Sequence, residues 1–105
     1  MENYNLEKLF NDLLKKKNLD KEISYTSTLL EDKKMLARKI SEESTEVILE
    51  YLDNNKDKII KESADLLYHL SVMWVSANVK LDDLWNELQE RKGISGLDEK
   101  KNRLS

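Results

Sequence analysis

The chain has 105 residues and a mass of 12.4 kDa, which is enough for one small domain over residues 1–105. Its 18 basic and 21 acidic residues give a formal charge of −3, which argues against nucleic acid as the main partner. The absence of cysteine and proline, with only two glycines, excludes disulfide frameworks, thiolate metal sites and glycine-loop nucleotide motifs. No apolar run approaches a membrane span and the N-terminus is polar, so we expect a soluble cytoplasmic protein without a membrane partner.

The first third of the chain predicts one amphipathic helix and contains a candidate cap for a second, short one. Leucines and a phenylalanine recur every three or four residues over 6–14, which predicts an amphipathic helix capped by Asn5. After a connector over 18–23, Ser24 can cap a short helix that runs through Leu30. A cap with surface hydroxyl groups is the ordinary structural explanation of this hydroxyl-rich stretch.

Two long helices and a shorter one follow in the remainder of the chain. The apolar spacing predicts helices over 32–53 and 56–78, with two asparagines between them and Asn78 as a left-handed residue at the second helix end. A last helix extends over 81–92, and we expect an extended tail over 93–105. Short connections favour antiparallel packing of neighbouring helices. The sequence therefore predicts an all-α fold of four helices that contains an antiparallel helical hairpin, and we expect this hairpin to assemble into a dimeric bundle.

Acidic residues are concentrated at one height on both long helices. On a helical wheel, Glu43 lies within the apolar stripe of the first helix and Glu46 lies at its margin. Glu62 and Asp65 lie at the edge of the stripe of the second helix. If the chain folds back at the two asparagines, Glu46 is level with Glu62, and Glu43 with Asp65, within about 2 Å along the axes. Four carboxylates converge if these edges face each other.

Converging carboxylates are unfavourable without a counter-charge. Two of them about 5 Å apart repel by roughly 3 kcal/mol at an effective dielectric constant of 20, which is large beside the roughly 5–15 kcal/mol of total stability of a small domain. Either the acids splay into water, or protons or a cation neutralise them. A site of oxygen ligands alone suits Mg²⁺ or Mn²⁺, and Mg²⁺ typically bridges carboxylates to substrate phosphates.

An ordinary solvated helix face is the alternative explanation of these acids. Lysines stand four residues before three of them, as expected for surface ion pairs: Lys39 before Glu43, Lys58 before Glu62 and Lys61 before Asp65. His69 could bind a carboxylate or substrate, or be a satisfied core residue. The tail cations Lys100 and Arg103 could contact phosphate or remain solvated.

Four segments of the sequence carry a resemblance to one enzyme family. They are Ser-Tyr-Thr at 24–26, Glu-Glu-x-x-Glu at 42–46, Glu-x-x-Asp with a following Tyr-His at 62–69, and Ser-Gly-x-x-Glu-Lys at 95–100. Together they resemble the all-α nucleoside triphosphate pyrophosphohydrolases of the MazG type. Within these, the sequence is most similar to the phosphoribosyl-ATP pyrophosphohydrolases of histidine biosynthesis.

The resemblance implies an activity, a cofactor and a set of site residues. The activity is hydrolysis of 1-(5-phosphoribosyl)-ATP to 1-(5-phosphoribosyl)-AMP and pyrophosphate, with Mg²⁺ as the cofactor and Mn²⁺ as a possible substitute. The implied metal ligands are Glu43, Glu46, Glu62 and Asp65. Glu43 and Glu42 are the catalytic candidates, with Glu42 as an outer ligand or as a group that orients the attacking water. The candidate substrate-binding residues are Lys39, His69, Lys100 and Arg103.

The helix over 56–78 is apolar around most of its circumference in its second half. One hairpin and two short helices cannot cover such a helix, so we expect a homodimer in which two hairpins form a bundle. Two other functions remain open at this point. One is a pyrophosphohydrolase of the same fold that acts on free nucleoside triphosphates, and the other is a non-catalytic helical interaction module.

Overall fold

The computed structural model describes residues 3–18 and 24–92, and the regular structure in those two ranges is entirely helical. The all-α prediction is confirmed. The described residues form five helices. The predicted count of four does not include the short helix that Ser24 can cap, and the structure contains it as a regular helix. The helices are α1 (Leu6–Asn18), α2 (Tyr25–Glu31), α3 (Lys33–Leu52), α4 (Lys56–Ser76) and α5 (Leu81–Glu90). The predicted tail over 93–105 lies outside the described residues, and the single-domain assignment stays a prediction.

Side-chain caps explain where four of the helices begin. The Asn5 side chain accepts a hydrogen bond from the third amide of α1, 2.9 Å away, as the sequence predicts. At α2, the predicted cap Ser24 forms a reciprocal capping box with Ser27. The side chains of Asp32 and Asn55 cap α3 and α4 by accepting hydrogen bonds from the backbone amides of Met35 and Lys58. These local signals are readable in the sequence because each needs only residues three positions apart.

The reversal between α3 and α4 depends on a left-handed residue. Asn54 has a φ of 57°, a region that asparagine tolerates better than most side chains. Asn78 has a φ of 58° after α4, which confirms its predicted conformation. The asparagine turn folds α4 back along α3, and these two helices share the most extensive packing in the described structure. The hairpin therefore brings its two acidic segments alongside each other.

The buried apolar core lies between α1, α2 and the second half of α4. Its members in the described ranges are Phe10, Leu13, Leu29, Leu36, Val72, Val75 and Leu81. Only Leu36, near the start of α3, comes from that helix, so the core stops short of the hairpin turn. None of the helices in these ranges has the length and apolar character that crossing a bilayer requires.

Large apolar side chains remain exposed where the hairpin extends beyond the core. We call this surface the apolar strip; its members are Ile48, Leu49, Tyr51, Leu52, Ile60 and Leu67. Ile60 is 59% exposed and Leu52 is 67% exposed. Large exposed apolar patches on soluble proteins often mark interaction surfaces, so the apolar strip is a candidate surface for association.

Candidate active site

Three carboxylates meet between the two arms of the hairpin. Glu43 from α3 and Glu62 and Asp65 from α4 each offer one carboxylate oxygen, and these three oxygens lie within 4.8 Å of one another. We call them the acid cluster. Three of the four predicted ligands are therefore close enough to share one ion.

Glu46, the fourth predicted ligand, adjoins the acid cluster through Glu62. Interaction with the carboxyl group of Glu46, then burial, and then the charges of Glu46, Glu43 and Asp65 raise the pKa of Glu62 to about 7. Glu46 therefore acts on Glu62 across the hairpin, and its assignment as a ligand stays a prediction.

Glu43 is the most enclosed member of the acid cluster. Its side chain is 14% exposed, and its Oε2 atom is buried without a hydrogen-bond partner. Burial is the main cause that raises the pKa of Glu43, followed by the charges of Asp65 and Glu46. A buried carboxylate oxygen without a partner is costly, so this position favours a cation or a proton.

The composition of the acid cluster fits a hard divalent cation. All of its donors are carboxylate oxygens, and Mg²⁺ and Mn²⁺ prefer oxygen ligands. The unpartnered Oε2 of Glu43 supplies a second observation, because a bound ion would satisfy it. A cation would also remove the mutual repulsion that raises the pKa values of Glu43 and Glu62.

The surface ion pairs that would explain the acids without a ligand do not form. In the part of the chain that the structure describes, no lysine pairs with Glu43, Glu62 or Asp65. Lys39 lies 3.9 Å from Glu42, three residues along the helix, and not beside Glu43. Because Glu43 turns toward the helix interface, it is out of reach of a lysine on the solvated face.

The other predicted site residues lie outside the acid cluster. Glu42 and Lys39 form a half-exposed pair on α3, next to the acid cluster in sequence. His69 is buried at 6% exposure, and its Nδ1 lies 3.8 Å from Oε1 of Glu43. Lys100 and Arg103 lie outside the described residues.

A hydroxyl-rich contact between α2 and α4 was not predicted from helical periodicity. Tyr25 contacts His69, with 2.8 Å between the phenol oxygen and Nε2. Next to it, the hydroxyl groups of Thr26 and Tyr68 form a short hydrogen bond. The signal for these residues lies in the resemblance, since the Ser-Tyr-Thr and Tyr-His segments both carry it, but no role could be derived from their spacing.

One known protein family matches almost all of the described part of the chain. The family model described as phosphoribosyl-ATP pyrophosphohydrolase matches residues 4–92, a span that contains the acid cluster and Glu46. The chain belongs to this family.

Relatives named as phosphoribosyl-ATP pyrophosphatases are similar to this chain over most of its length and of their own. A phosphoribosyl-ATP pyrophosphatase from Paramagnetospirillum magneticum is 40% identical over 93% of this chain and 91% of its own. One from Clostridium novyi is 43% identical over 83% of this chain and 80% of its own. One from Gluconobacter oxydans is 38% identical over 90% of this chain and 72% of its own. The similarity therefore extends well beyond the acidic segments.

Proposed function

We propose that the chain hydrolyses 1-(5-phosphoribosyl)-ATP to 1-(5-phosphoribosyl)-AMP and pyrophosphate, the family's step in histidine biosynthesis. Membership of the phosphoribosyl-ATP pyrophosphohydrolase family over residues 4–92 supports this activity. The observation that carries the proposal in the structure is the acid cluster, in which an unpartnered oxygen of Glu43 lies against two further carboxylates.

We propose Mg²⁺ as the cofactor, with Mn²⁺ as a substitute. Glu43, Glu62 and Asp65 would hold the ion, and Glu46, whose carboxyl group interacts with that of Glu62, would join them. When bound, the ion neutralises phosphate charge and orients the anhydride for in-line attack by water. This chemistry needs no protein nucleophile.

Two exposed residues next to the acid cluster have proposed roles toward water and phosphate. Glu42 belongs to the solvated side of α3, where its carboxylate is available to orient the attacking water or to act as an outer ligand. Lys39 offers an ammonium group for a phosphate oxygen, and the weak pairing of these two exposed groups leaves both free to move.

A substrate panel tests the activity. We expect pyrophosphate release from phosphoribosyl-ATP in Mg²⁺, loss of that release in EDTA, and recovery on adding Mg²⁺ or Mn²⁺. Turnover of free nucleoside triphosphates without turnover of phosphoribosyl-ATP would favour the related pyrophosphohydrolase activity. No turnover of either, with no heat on titrating Mg²⁺ and a substrate analogue, would favour a non-catalytic interaction module.

We also propose that the chain forms a homodimer through the apolar strip. A second copy supplies a complementary apolar surface by symmetry, because each copy presents the same two helix arms. Burial of the strip would stabilise the pair by roughly 25 cal/mol for each Å² of apolar surface removed from water. Association of two hairpins in this manner gives a helical bundle, the arrangement expected from the sequence.

A further inference from the structure

The contact between Tyr25, His69 and Tyr68 lies beside the acid cluster and is not used by the chemistry described above. The imidazole ring of His69 separates the two: Nε2 lies 2.8 Å from the phenol oxygen of Tyr25, and Nδ1 lies 3.8 Å from Oε1 of Glu43. The phenol of Tyr25 is therefore one imidazole ring away from the most buried carboxylate of the site.

With His69 in its neutral form, its hydrogen-bond partners determine the direction of each bond. Nδ1 lies 2.8 Å from the backbone carbonyl of Asp65, and a carbonyl oxygen only accepts, so Nδ1 carries a hydrogen. In the neutral ring Nε2 is then an acceptor, and the Tyr25 hydroxyl donates to it. Because both ring nitrogens are engaged and the ring is buried, His69 has no free group to offer to a ligand.

The Tyr25 ring has a fixed orientation and an open side. Tyr68 stacks on it with ring centroids 6.1 Å apart and 15° between the planes, and His69 meets it edge-on at 5.8 Å. Tyr68 is itself anchored to α2 by its hydrogen bond with Thr26, which is fully buried. Even so, 49% of Tyr25 is exposed to solvent.

The direction of the phenol hydrogen bond restricts what Tyr25 can bind. With its hydrogen donated to His69, the phenol oxygen presents only lone pairs, and it can only accept. A phosphate oxygen has no hydrogen to donate, whereas a sugar hydroxyl has one. In a nucleotide whose phosphates lie at the acid cluster, the sugar is the hydroxyl-bearing group attached directly to the α-phosphate.

We propose that Tyr25 accepts a hydrogen bond from a ribose hydroxyl of the nucleotide substrate, and that His69 and Tyr68 are positioning residues that hold its ring. The inference rests on the proposed function, because that function places the phosphates at the acid cluster. It assigns His69 an indirect role through Tyr25 and not a direct contact with substrate. The alternative is a purely structural role, in which the contact only holds α2 against α4. The test must distinguish this role from binding of the ribose.

Binding measurements on a nucleotide that is not hydrolysed provide the test. We would titrate α,β-methylene-ATP and its 2′,3′-dideoxy counterpart, each with Mg²⁺, into wild-type protein and the Tyr25→Phe variant by calorimetry. Wild type should bind the ribose compound roughly five- to tenfold more tightly than the dideoxy compound, as expected for one hydrogen bond. Tyr25→Phe should lose that difference while binding the dideoxy compound as wild type does.

Tyr4→Phe is the matched control. Tyr4 also donates its phenol hydrogen, to Asp12 over 2.9 Å, but it lies on the N-terminal segment and is 64% exposed. This variant should keep the wild-type discrimination between the two nucleotides.

Histidine variants separate positioning from structure. His69→Gln keeps an amide oxygen that can accept from Tyr25 and should retain most of the discrimination, whereas His69→Leu should lose it. Equal weakening of both nucleotides in Tyr25→Phe, or an unchanged preference for ribose, would overturn the inference.

Steady-state kinetics distinguish failure of this inference from failure of the proposed function. We expect the KM of Tyr25→Phe for phosphoribosyl-ATP to rise several-fold, with kcat within about twofold of wild type. Wild-type turnover with an unchanged KM in the variant would refute the role of Tyr25 alone. An inactive wild type would refute the proposed function, and the calorimetric comparison would still decide the ribose contact.

Discussion

Glu43 combines the two features that make a carboxylate ready for a cation: burial and the absence of a partner. On the helical wheel it lies within the apolar stripe, and the structure places its Oε2 in the interior without a hydrogen bond. Burial and the neighbouring acids raise its pKa, so the charged form is disfavoured in the protein alone. The residue is therefore poorly suited to a structural role and well suited to binding an ion.

Replacing Glu43 with glutamine should separate activity from folding. We expect turnover of phosphoribosyl-ATP to fall at least about 100-fold, since even indirect partners of metal ligands contribute 10- to 100-fold. Helicity should be unchanged, and the melting temperature of the metal-free protein should not fall, because the substitution removes a charge that burial disfavours. Circular dichroism and pyrophosphate release measure the two effects.

Glu90→Gln is the control for this substitution. Glu90 is the last residue of α5 and is exposed, so this change of the same type should leave turnover as in wild type. Wild-type turnover in Glu43→Gln would contradict its assignment as a ligand.

The pKa of Glu62 predicts how metal-free stability depends on pH. A folded-state pKa of about 7, above the usual value of 4.5, means that the folded protein binds this proton more tightly than the unfolded chain. Its stabilising contribution is therefore complete below about pH 4.5 and is lost as the pH rises through about 7. We expect thermal melting in EDTA to show this decline, and saturating Mg²⁺ to reduce it.

Glu62→Gln provides the comparison for the pH dependence. Glutamine cannot titrate, so the variant should show a flatter melting profile than wild type between pH 4.5 and 7. Identical profiles for the two proteins in EDTA would show that this carboxyl group does not carry the effect.

At the scale of elements, the α3–α4 hairpin places the acids, and its geometry depends on the asparagine turn. Asn54 adopts a φ of 57°. In this region the Cβ atom of most residues strains the backbone, whereas glycine has no Cβ atom and adopts the conformation freely. Asn55, the next residue, caps α4. The position of the turn decides which residues of α3 and α4 are level, and therefore which carboxylates meet.

Asn54→Ala should destabilise the protein by about 1 kcal/mol, because alanine lacks the local hydrogen bonding that lets asparagine adopt this conformation. Chemical denaturation measures the change in the free energy of unfolding. Asn54→Gly is the matched control and should lie within about 0.5 kcal/mol of wild type, since glycine adopts a positive φ without strain. Equal losses in both variants would mean that the left-handed conformation is not what stabilises the turn.

Much of the hairpin could be predicted from the sequence because it depends on local signals. The asparagines, the caps and the axial rise per residue place Glu46 near Glu62 without knowledge of the core. The same reasoning gave helix ends one or two residues too late at 53, 78 and 92, because the turn residues after each helix still donate backbone hydrogen bonds to its last turn. The Tyr25–His69 contact could not be derived, since it joins residues 44 positions apart whose approach depends on how α2 packs on α4.

Within residues 3–18 and 24–92, the large apolar side chains separate into a buried core and a hairpin end that these residues leave uncovered. Buried residues gather around α1, α2 and the second half of α4, whereas the apolar strip follows the hairpin toward its turn. A chain of this size has few elements with which to cover a long hairpin. Association with a second copy is the simplest way to remove the strip from water.

Ile60→Glu should disrupt the proposed homodimer. A carboxylate at the centre of an apolar interface is not solvated there, so light scattering at micromolar concentration should report a monomer where wild type gives a dimer. Leu88→Glu is the matched control: Leu88 is 60% exposed against 59% for Ile60, but it lies on α5 outside the strip. A wild-type chain that is monomeric at this concentration would contradict the proposal.

The asparagine turn has a consequence for how the chain would respond to the proposed cation. Both arms of one hairpin supply the carboxylates, so an ion bound to them would also join α3 to α4. Its binding free energy would then add to the free energy of folding by mass action. Turnover and resistance of the hairpin to unfolding would therefore depend on the same concentration of free divalent ion.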